Sequence, residues 1–261
     1  SNHAFSRSLW PFNAMSSQPS KKRRTSEAPE LSDTDAQVSG ESKEVSKDLE
    51  VSKEASKTPV TPVLAVLGLG NPGGSLKRER HSLGARVAAA LVQTHKASMV
   101  ESKVKDLDGA VWLAGENLRG KALILEPQRP INDNGPQLHS ALSALDLVDC
   151  PFLAIVDDCW LPLGSIRFRE KGSSGGHKGL EGIEASFDCK QNYHRLRLGI
   201  GGKNLKEFVS GSFTEEEEAK LEPVLAAAVC AVEAWLKLGP QASQKIMSSV
   251  NAPSFMKNPV V

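Results

Sequence analysis

Apolar and polar residues follow two different periods along the chain after residue 62. The short run Val63–Leu67 is continuously apolar, which predicts a strand buried on both faces. From Ser82, a candidate N-cap, to about Gln93, apolar residues recur at helical spacing, which predicts a helix. Further strands are predicted at Ala110–Leu113, Lys121–Leu125, Pro151–Val156, Ser165–Arg169 and Leu196–Ile200. Further helices are predicted at Asn134–Leu145, Gly179–Phe187 and Glu215–Leu238. Strands mixed with helices indicate one α/β domain.

The first sixty residues lack this pattern. Residues 16–60 are rich in Ser, Glu and Lys and contain a short repeat at 44–47, 50–53 and 54–57. Because such a segment cannot bury enough apolar surface to offset chain ordering, we predict a disordered N-terminal tail over residues 1–60. The predicted domain spans residues 61–250, and residues 251–261 are predicted to be a C-terminal tail.

The beginning of that tail allows several interpretations. Residues 1–26 contain no acidic residue and include the basic run 21–24. An organelle transit peptide, a nuclear signal and a leader ahead of a native start at Met15 all remain open. The expected compartment is cytoplasmic or mitochondrial, and the sequence does not decide between them.

Composition limits the classes of partner. The formal net charge is +1, so any basic surface that binds nucleic acid must be local. The chain has four cysteines without CxxC or metal-ligand spacing, which predicts buried free thiols and a reducing compartment. They are Cys150, Cys159, Cys189 and Cys230. No apolar run approaches the roughly 20 residues that a bilayer requires, so no membrane span is expected.

A glycine-rich turn, Gly68-Leu-Gly-Asn-Pro-Gly73, follows the first predicted strand. Its G-x-G-x-x-G pattern suggests dinucleotide binding, in which a helix N-terminus meets the pyrophosphate. Here Pro72 and four charged residues at 77–80 intervene before the predicted helix. The favoured interpretation is a turn that presents Asn71, whose amide offers a donor and an acceptor.

His81 and Asp157 are candidates for acid–base chemistry. The positive end of the helix dipole disfavours imidazolium, so His81 should be neutral and able to accept a proton. Asp157 follows a buried strand, where a carboxylate can orient an imidazole and stabilise its charge. Asp158 is a competing candidate, and a simple turn is the alternative for both. A metal held by His81, Asp157 and His177 is disfavoured, because local ligand spacing is lacking.

A second glycine-rich loop, residues 172–179, contains Gly175, His177 and Lys178. Backbone N–H groups in such a loop can receive phosphate or carboxylate. Cations cluster near it in sequence at Arg167, Arg169, Lys171, Arg195 and Arg197. A basic rim that suits an RNA backbone is favoured over a plain charged edge strand. Asn132 precedes a predicted helix, where its amide could order a water or substrate carbonyl or serve as a turn residue.

Seven segments together resemble the bacterial-type peptidyl-tRNA hydrolase family over about residues 63–250. They are residues 66–73, 80–81, 127–128 with Asn132 and Gly135, 157 with 161, 162 and 164, 175–180, 195–201, and 208–211. The resemblance implies a single α/β domain with a twisted, mostly parallel mixed β-sheet between helices. It also implies hydrolysis of the ester between a peptide and the 3′ end of tRNA, a role in translation and ribosome rescue. Neither a cofactor nor a metal is expected, and we expect a monomer.

The same resemblance assigns roles by motif position. His81 would be the general base, Asp157 would orient it, and Asn71 and Asn132 would bind the peptide and position water. The loop at 172–179 would cover the substrate. Candidate substrate-binding residues are Leu76, Pro130, Gly175, His177, Lys178, Arg167, Arg169, Lys171, Arg195 and Arg197. The alternative is an RNA-binding relative, a splicing or tRNA-binding factor, with weak or no hydrolase activity.

Five positions depart from the family pattern. Leu76 stands where the family has a tyrosine, Ser82 replaces an asparagine, and Pro130 replaces an aromatic residue. Trp160 replaces a second aspartate, and Lys178 replaces an asparagine that holds water and substrate. Because a lysine cannot accept a hydrogen bond and adds charge, Lys178 favours phosphate binding over the positioning of water.

Overall fold

One mixed sheet organises the part of the chain that the computed structural model describes, namely residues 63–73, 78–99, 111–114, 122–187, 189, 191–202 and 206–261. Among these residues it has seven strands, in the order β2-β3-β4-β1-β5-β7-β6. They are β1 (Leu64–Gly68), β2 (Ser98–Met99), β3 (Val111–Ala114), β4 (Ala122–Leu125), β5 (Phe152–Asp158), β6 (Ile166–Arg169) and β7 (His194–Gly199). The four central strands are parallel and the outer pairings are antiparallel, which confirms the predicted α/β class.

Six α-helices lie within the same described residues. They are α1 (Leu83–Thr94), α2 (Asn134–Ala144), α3 (Lys178–Phe187), α4 (Lys206–Val209), α5 (Glu215–Leu238) and α6 (Ser243–Val250). No helix in this part of the chain has the length and apolarity to cross a membrane. The prediction of a disordered tail over residues 1–60 and the assignment of Leu76 lie outside the described residues.

The sheet is covered on both faces. Along β1, Val66 packs in a core layer with α1, α5 and α6, while the next residue, Leu67, packs in a second layer with α2 and α3. Because successive side chains of a strand point to opposite faces, a continuous apolar run is what two covered faces require. The predicted position of the sheet between helices is therefore confirmed.

Helix α1 lies very close to the carboxyl ends of β1 and β5. A Cβ added to Gly84 would meet the carbonyl oxygen of Ile155 at 2.2 Å and the backbone nitrogen of Leu69 at 2.8 Å. Only glycine allows this approach, because both neighbours are backbone atoms. The contact brings the residues just before α1 next to the end of β5.

The core extends beyond residue 250, where the sequence predicted that the domain ends. Phe255 is 2% exposed and belongs to the core layer of α1, α5 and α6. An aromatic ring buries a large apolar area, so the segment that carries Phe255 contributes to the stability of the domain.

Candidate active site

A buried carboxylate lies between two imidazoles at the carboxyl end of β5. The Nδ1 atom of His81 is 3.0 Å from Oδ1 of Asp157 and 3.1 Å from Oδ2. The Nε2 atom of His177 is 3.1 Å from the same Oδ1. The two rings are 4.6 Å apart between centroids. The structure thus brings together the candidate base, its predicted partner and the histidine of the second glycine loop.

Hydrogen bonding defines which ring nitrogens carry protons. The backbone N–H of Leu180 donates to Nδ1 of His177 at 3.4 Å, so the proton of this imidazole resides on Nε2 and is donated to Asp157. For His81, donation from Nδ1 to the carboxylate leaves Nε2 with its lone pair. This tautomer of His81 can accept a proton from a group in the cleft.

Asp157 remains ionised although its side chain is only 2% exposed. Burial alone would raise the pKa of this carboxyl, but the charge that His177 and His81 carry when protonated, together with their hydrogen bonds, outweighs burial and holds the pKa well below its usual range. A carboxylate whose pKa is lowered in this way stabilises an imidazolium that forms beside it. The expectation that Asp157 supports His81 therefore has a physical basis.

The same three side chains offer ligand atoms within 4.8 Å of one another. Nδ1 of His81 and Nε2 of His177, however, both face Asp157 at hydrogen-bonding distance. A metal would have to replace both protons. The geometry suits two imidazoles that hydrogen-bond to one carboxylate better than it suits a metal centre.

The 3₁₀ turn that carries His81 is anchored by Arg80, which contacts α5 and α4. It covers Arg80–Ser82, and the guanidinium of Arg80 contacts the carboxylate of Glu217 at 2.7 Å and stacks on Phe208. The hydroxyl of Ser82 accepts the backbone N–H of Asn71 at 3.0 Å. Ser82 thus occupies the predicted N-cap position of α1, but its side chain secures the glycine-rich turn and makes no cap hydrogen bond.

Asn71 lies at the cleft, where its side chain links two loops. Its Oδ1 accepts the backbone N–H of Ile131 at 2.9 Å, and its Nδ2 donates to Glu79 at 2.8 Å. The carbonyl of this amide is therefore engaged within the protein. One N–H of the amide is not used by either of these bonds and can meet a ligand.

Asn134, which the sequence suggested only as the start of a helix, is fully buried and links two loops by hydrogen bonds. Its Oδ1 accepts the backbone N–H of Gly70 at 2.9 Å, and its Nδ2 donates to the carbonyls of Arg129 and Pro130. The asparagine therefore joins the glycine-rich turn to the loop that carries Asn132. No sequence signal distinguished it from an ordinary turn residue.

Asp158 does not take part in the imidazole cluster. Its Oδ2 pairs with the guanidinium of Arg197, and its Oδ1 accepts the backbone N–H of Trp160 at 2.8 Å. The two neighbouring aspartates thus have different partners, and Asp157 is the one that contacts His81. The side chain of Trp160 is 68% exposed.

The second glycine loop is held from beneath by Arg195. This side chain is buried, donates to the carbonyls of Ser173 and Gln191, and lies 4.0 Å from the ring of Tyr193. The expectation that Arg195 belongs to a solvent-facing basic rim is corrected here. The guanidinium borders the cleft, but its N–H groups are directed to the carbonyls of Ser173 and Gln191 and its plane lies over Tyr193, so it supports the loop.

These groups surround one cleft of about 830 Å³. Asn132 and Pro130 line it and are exposed, as are Gly175 and Lys178 of the second loop. Cations that line the cleft are Arg169, Lys171, Lys178, Arg195, Arg197 and Lys206. Lys206 was missed, because it lies just outside the segment 208–211 that carries part of the resemblance. Arg167 is exposed on β6 and lies outside the cleft lining.

The fold and the cleft together define a class of protein. It is an α/β protein whose acid–base site combines an imidazole, a buried carboxylate and cationic side chains. A family model described as peptidyl-tRNA hydrolase matches residues 65–258. The chain belongs to the peptidyl-tRNA hydrolase family.

Individual relatives agree with this assignment. A peptidyl-tRNA hydrolase of Methylacidiphilum infernorum is 37% identical over 67% of this chain and 91% of its own length. The Bacillus subtilis protein of the same name is 33% identical over 67% of this chain and 92% of its own length. A crystal structure of the peptidyl-tRNA hydrolase from Acinetobacter baumannii has the same fold, with a TM-score of 0.61 and 24% identity over 74% of this chain and 98% of that one.

Proposed function

We propose that this protein hydrolyses the ester bond of peptidyl-tRNA and releases free tRNA and peptide. The observation that carries the proposal is the hydrogen bond of 3.0 Å from Nδ1 of His81 to the ionised Asp157, which leaves Nε2 as a proton acceptor at the cleft. Family membership supplies the substrate class, since the matching relatives are named for this activity.

The reaction follows from these groups. Nε2 of His81 takes a proton from a water molecule as the water oxygen attacks the ester carbonyl, and Asp157 stabilises the imidazolium that results. When the tetrahedral intermediate collapses, the bond to the 3′ oxygen of the ribose breaks, and the imidazolium returns a proton to that oxygen. The products are tRNA with a free hydroxyl and a peptide carboxylic acid, which releases its proton to solvent and becomes the carboxylate.

Two asparagines are proposed to hold the acyl part of the substrate. Asn132 lines the cleft and is exposed, so both sides of its amide are available to the peptide and to the attacking water. Asn71 contributes through the remaining N–H of its amide, and also keeps the loop around Ile131 in place. His177 donates to Asp157 and thereby helps to keep the carboxylate ionised.

The cationic side of the cleft is proposed to receive tRNA phosphates. Arg169, Lys171 and Arg197 line it. The RNA-binding alternative without hydrolysis is not favoured, because the imidazole and carboxylate that the reaction needs are both present and paired.

Ester cleavage of an N-blocked aminoacyl-tRNA tests the proposal. We expect wild-type protein to cleave it, and His81→Ala to lower the rate by about 10²- to 10⁴-fold, the contribution of a general base. His95→Ala is the matched control, because His95 pairs with Glu233 and does not line the cleft. Absence of cleavage by the wild-type protein, or an unchanged rate in His81→Ala, would reject the proposal.

A further inference from the structure

Trp160 is a large aromatic residue that the mechanism above does not use. It lines the cleft, and its side chain is 68% exposed. Indole rings bury much apolar area when they pack in a core, and the other tryptophan whose side chain is described, Trp235, is fully buried. Because Trp160 is exposed in a cleft instead of buried, we consider contact with a ligand as the reason for its position.

The backbone on both sides of Trp160 is firmly held, so the indole has no route into the core. Cys159 packs against the core and Leu161 is buried at 7% exposure. The carbonyl of Asp158 accepts the N–H of Ile200 at 3.0 Å, and the carbonyl of Leu161 accepts the N–H of Gly201 at 2.9 Å. Because Cys159 and Leu161 face the core and the turn is hydrogen-bonded to the residues just after β7, the ring of Trp160 is left at the surface.

A partly buried ion pair supports the same turn. The backbone N–H of Trp160 donates to Oδ1 of Asp158, whose other oxygen pairs with Arg197. Arg197 also lines the cleft, together with Arg169 and Lys171. An exposed aromatic ring and cations that line the same cleft are the combination by which proteins bind single-stranded nucleic acid, because bases stack on the ring while phosphates meet the charges.

We infer that Trp160 is a stacking platform for an unpaired base near the 3′ end of the RNA substrate. This inference rests on the proposed function, because the ester lies at the single-stranded 3′ end of tRNA. The cations favour RNA over the peptide as the stacked partner, since an uncharged peptide gains nothing from Arg169, Lys171 or Arg197.

Binding of a short single-stranded RNA that ends in CCA, and carries no ester, tests the inference separately from hydrolysis. We expect Trp160→Ala to weaken this binding roughly 5- to 100-fold, and Trp160→Phe to weaken it less, because a smaller ring still stacks. The RNA should quench tryptophan fluorescence in the wild-type protein, and the quenching should disappear in Trp160→Phe. Met99→Ala is the control, since Met99 is 53% exposed but does not line the cleft.

Hydrolysis gives a second readout with the same variants. We expect Trp160→Ala to raise KM for N-blocked aminoacyl-tRNA while kcat changes little. The rise in KM should be the same for glycyl and phenylalanyl esters. A loss confined to the phenylalanyl ester would show that the ring contacts the peptide and would overturn the inference. So would unchanged RNA affinity in Trp160→Ala. RNA binding that depends on Trp160 in a protein without esterase activity would support the platform and reject the proposed function.

Discussion

At the scale of single residues, position 178 shows how one side chain can alter the balance between binding and catalysis. Lys178 lines the cleft, and its Nζ lies 2.8 Å from Oε2 of Glu181 in the first turn of α3. Both side chains are exposed, so the ion pair adds little stability. The lysine brings charge to the cleft edge but supplies no hydrogen-bond acceptor, which an asparagine at this position would supply.

We therefore expect Lys178→Asn to raise the rate of ester cleavage. A gained hydrogen bond of about 0.5–1.5 kcal/mol in the transition state corresponds to about 2- to 12-fold in kcat/KM, measured with N-blocked aminoacyl-tRNA. Glu181→Gln is the matched control, because it breaks the ion pair without adding an amide at position 178. An unchanged or lower rate in Lys178→Asn would contradict this account of the substitution.

At the scale of elements, the distance between α1 and the sheet determines where the base lies. Gly84 allows the backbone of α1 to touch Leu69 and Ile155, and the turn before α1 then places His81 beside Asp157. A displacement of the helix by even an ångström would lengthen the hydrogen bond of 3.0 Å between these side chains. Helix packing and catalytic geometry are therefore coupled through one glycine.

Gly84→Ala tests this coupling. Alanine in place of glycine stabilises a helix by about 1 kcal/mol. The clash with backbone atoms should lower the free energy of unfolding by more than this, typically by about 1–3 kcal/mol. We expect lower stability to urea and a fall in kcat of at least about tenfold, because a 1 Å misplacement of catalytic groups can cost as much as 10²-fold.

Ala89→Gly provides the comparison on the same helix. It weakens the helix by about 1 kcal/mol at a half-buried position without a backbone clash, so kcat should stay at the wild-type value. If Gly84→Ala also retained the wild-type kcat, the proposed coupling between helix packing and the base would be wrong.

At the scale of the whole molecule, a nearly neutral chain carries a locally basic cleft. The net charge is +1, yet the cleft lining combines six Lys and Arg side chains with the buried Asp157 and Asp158. Of these cations, Arg195 supports the loop and Arg197 pairs with Asp158. Lys178 pairs with Glu181, so Arg169, Lys171 and Lys206 are consequently the best candidates for direct phosphate contacts.

The affinity for deacylated tRNA should fall as salt concentration rises. Each phosphate contact contributes about 0.7–0.9 to the slope of log affinity against log salt, so Arg169→Gln combined with Lys171→Gln should reduce the slope by about 1.4–1.8. Lys257→Gln, at an exposed position outside the cleft lining, should leave the slope unchanged. A flat salt response of the wild-type protein would contradict phosphate binding by this cleft.

Local patterns predicted most elements and the central pair of the site. The periodicity of apolar residues was enough for the strands and helices of the core, because a strand covered on both faces and an amphipathic helix leave distinct signatures. The dipole argument for His81 and the strand-end argument for Asp157 likewise need only the neighbouring sequence. The outcome at Arg195 differs, because alternation along β7 suggested a solvent-facing cation where the structure has a buried one.

The sequence by itself determined the α/β class, the family and the candidates His81, Asp157, Asn71 and Asn132. Only the tertiary structure decided that His177 as well as His81 hydrogen-bonds to Asp157, and that Asn134 joins two loops. It also decided that Asp158 pairs with Arg197 and accepts the backbone N–H of Trp160. The physical reason is that periodicity and caps reflect interactions within a few residues, whereas these hydrogen bonds and ion pairs connect loops that meet only when the parallel strands align.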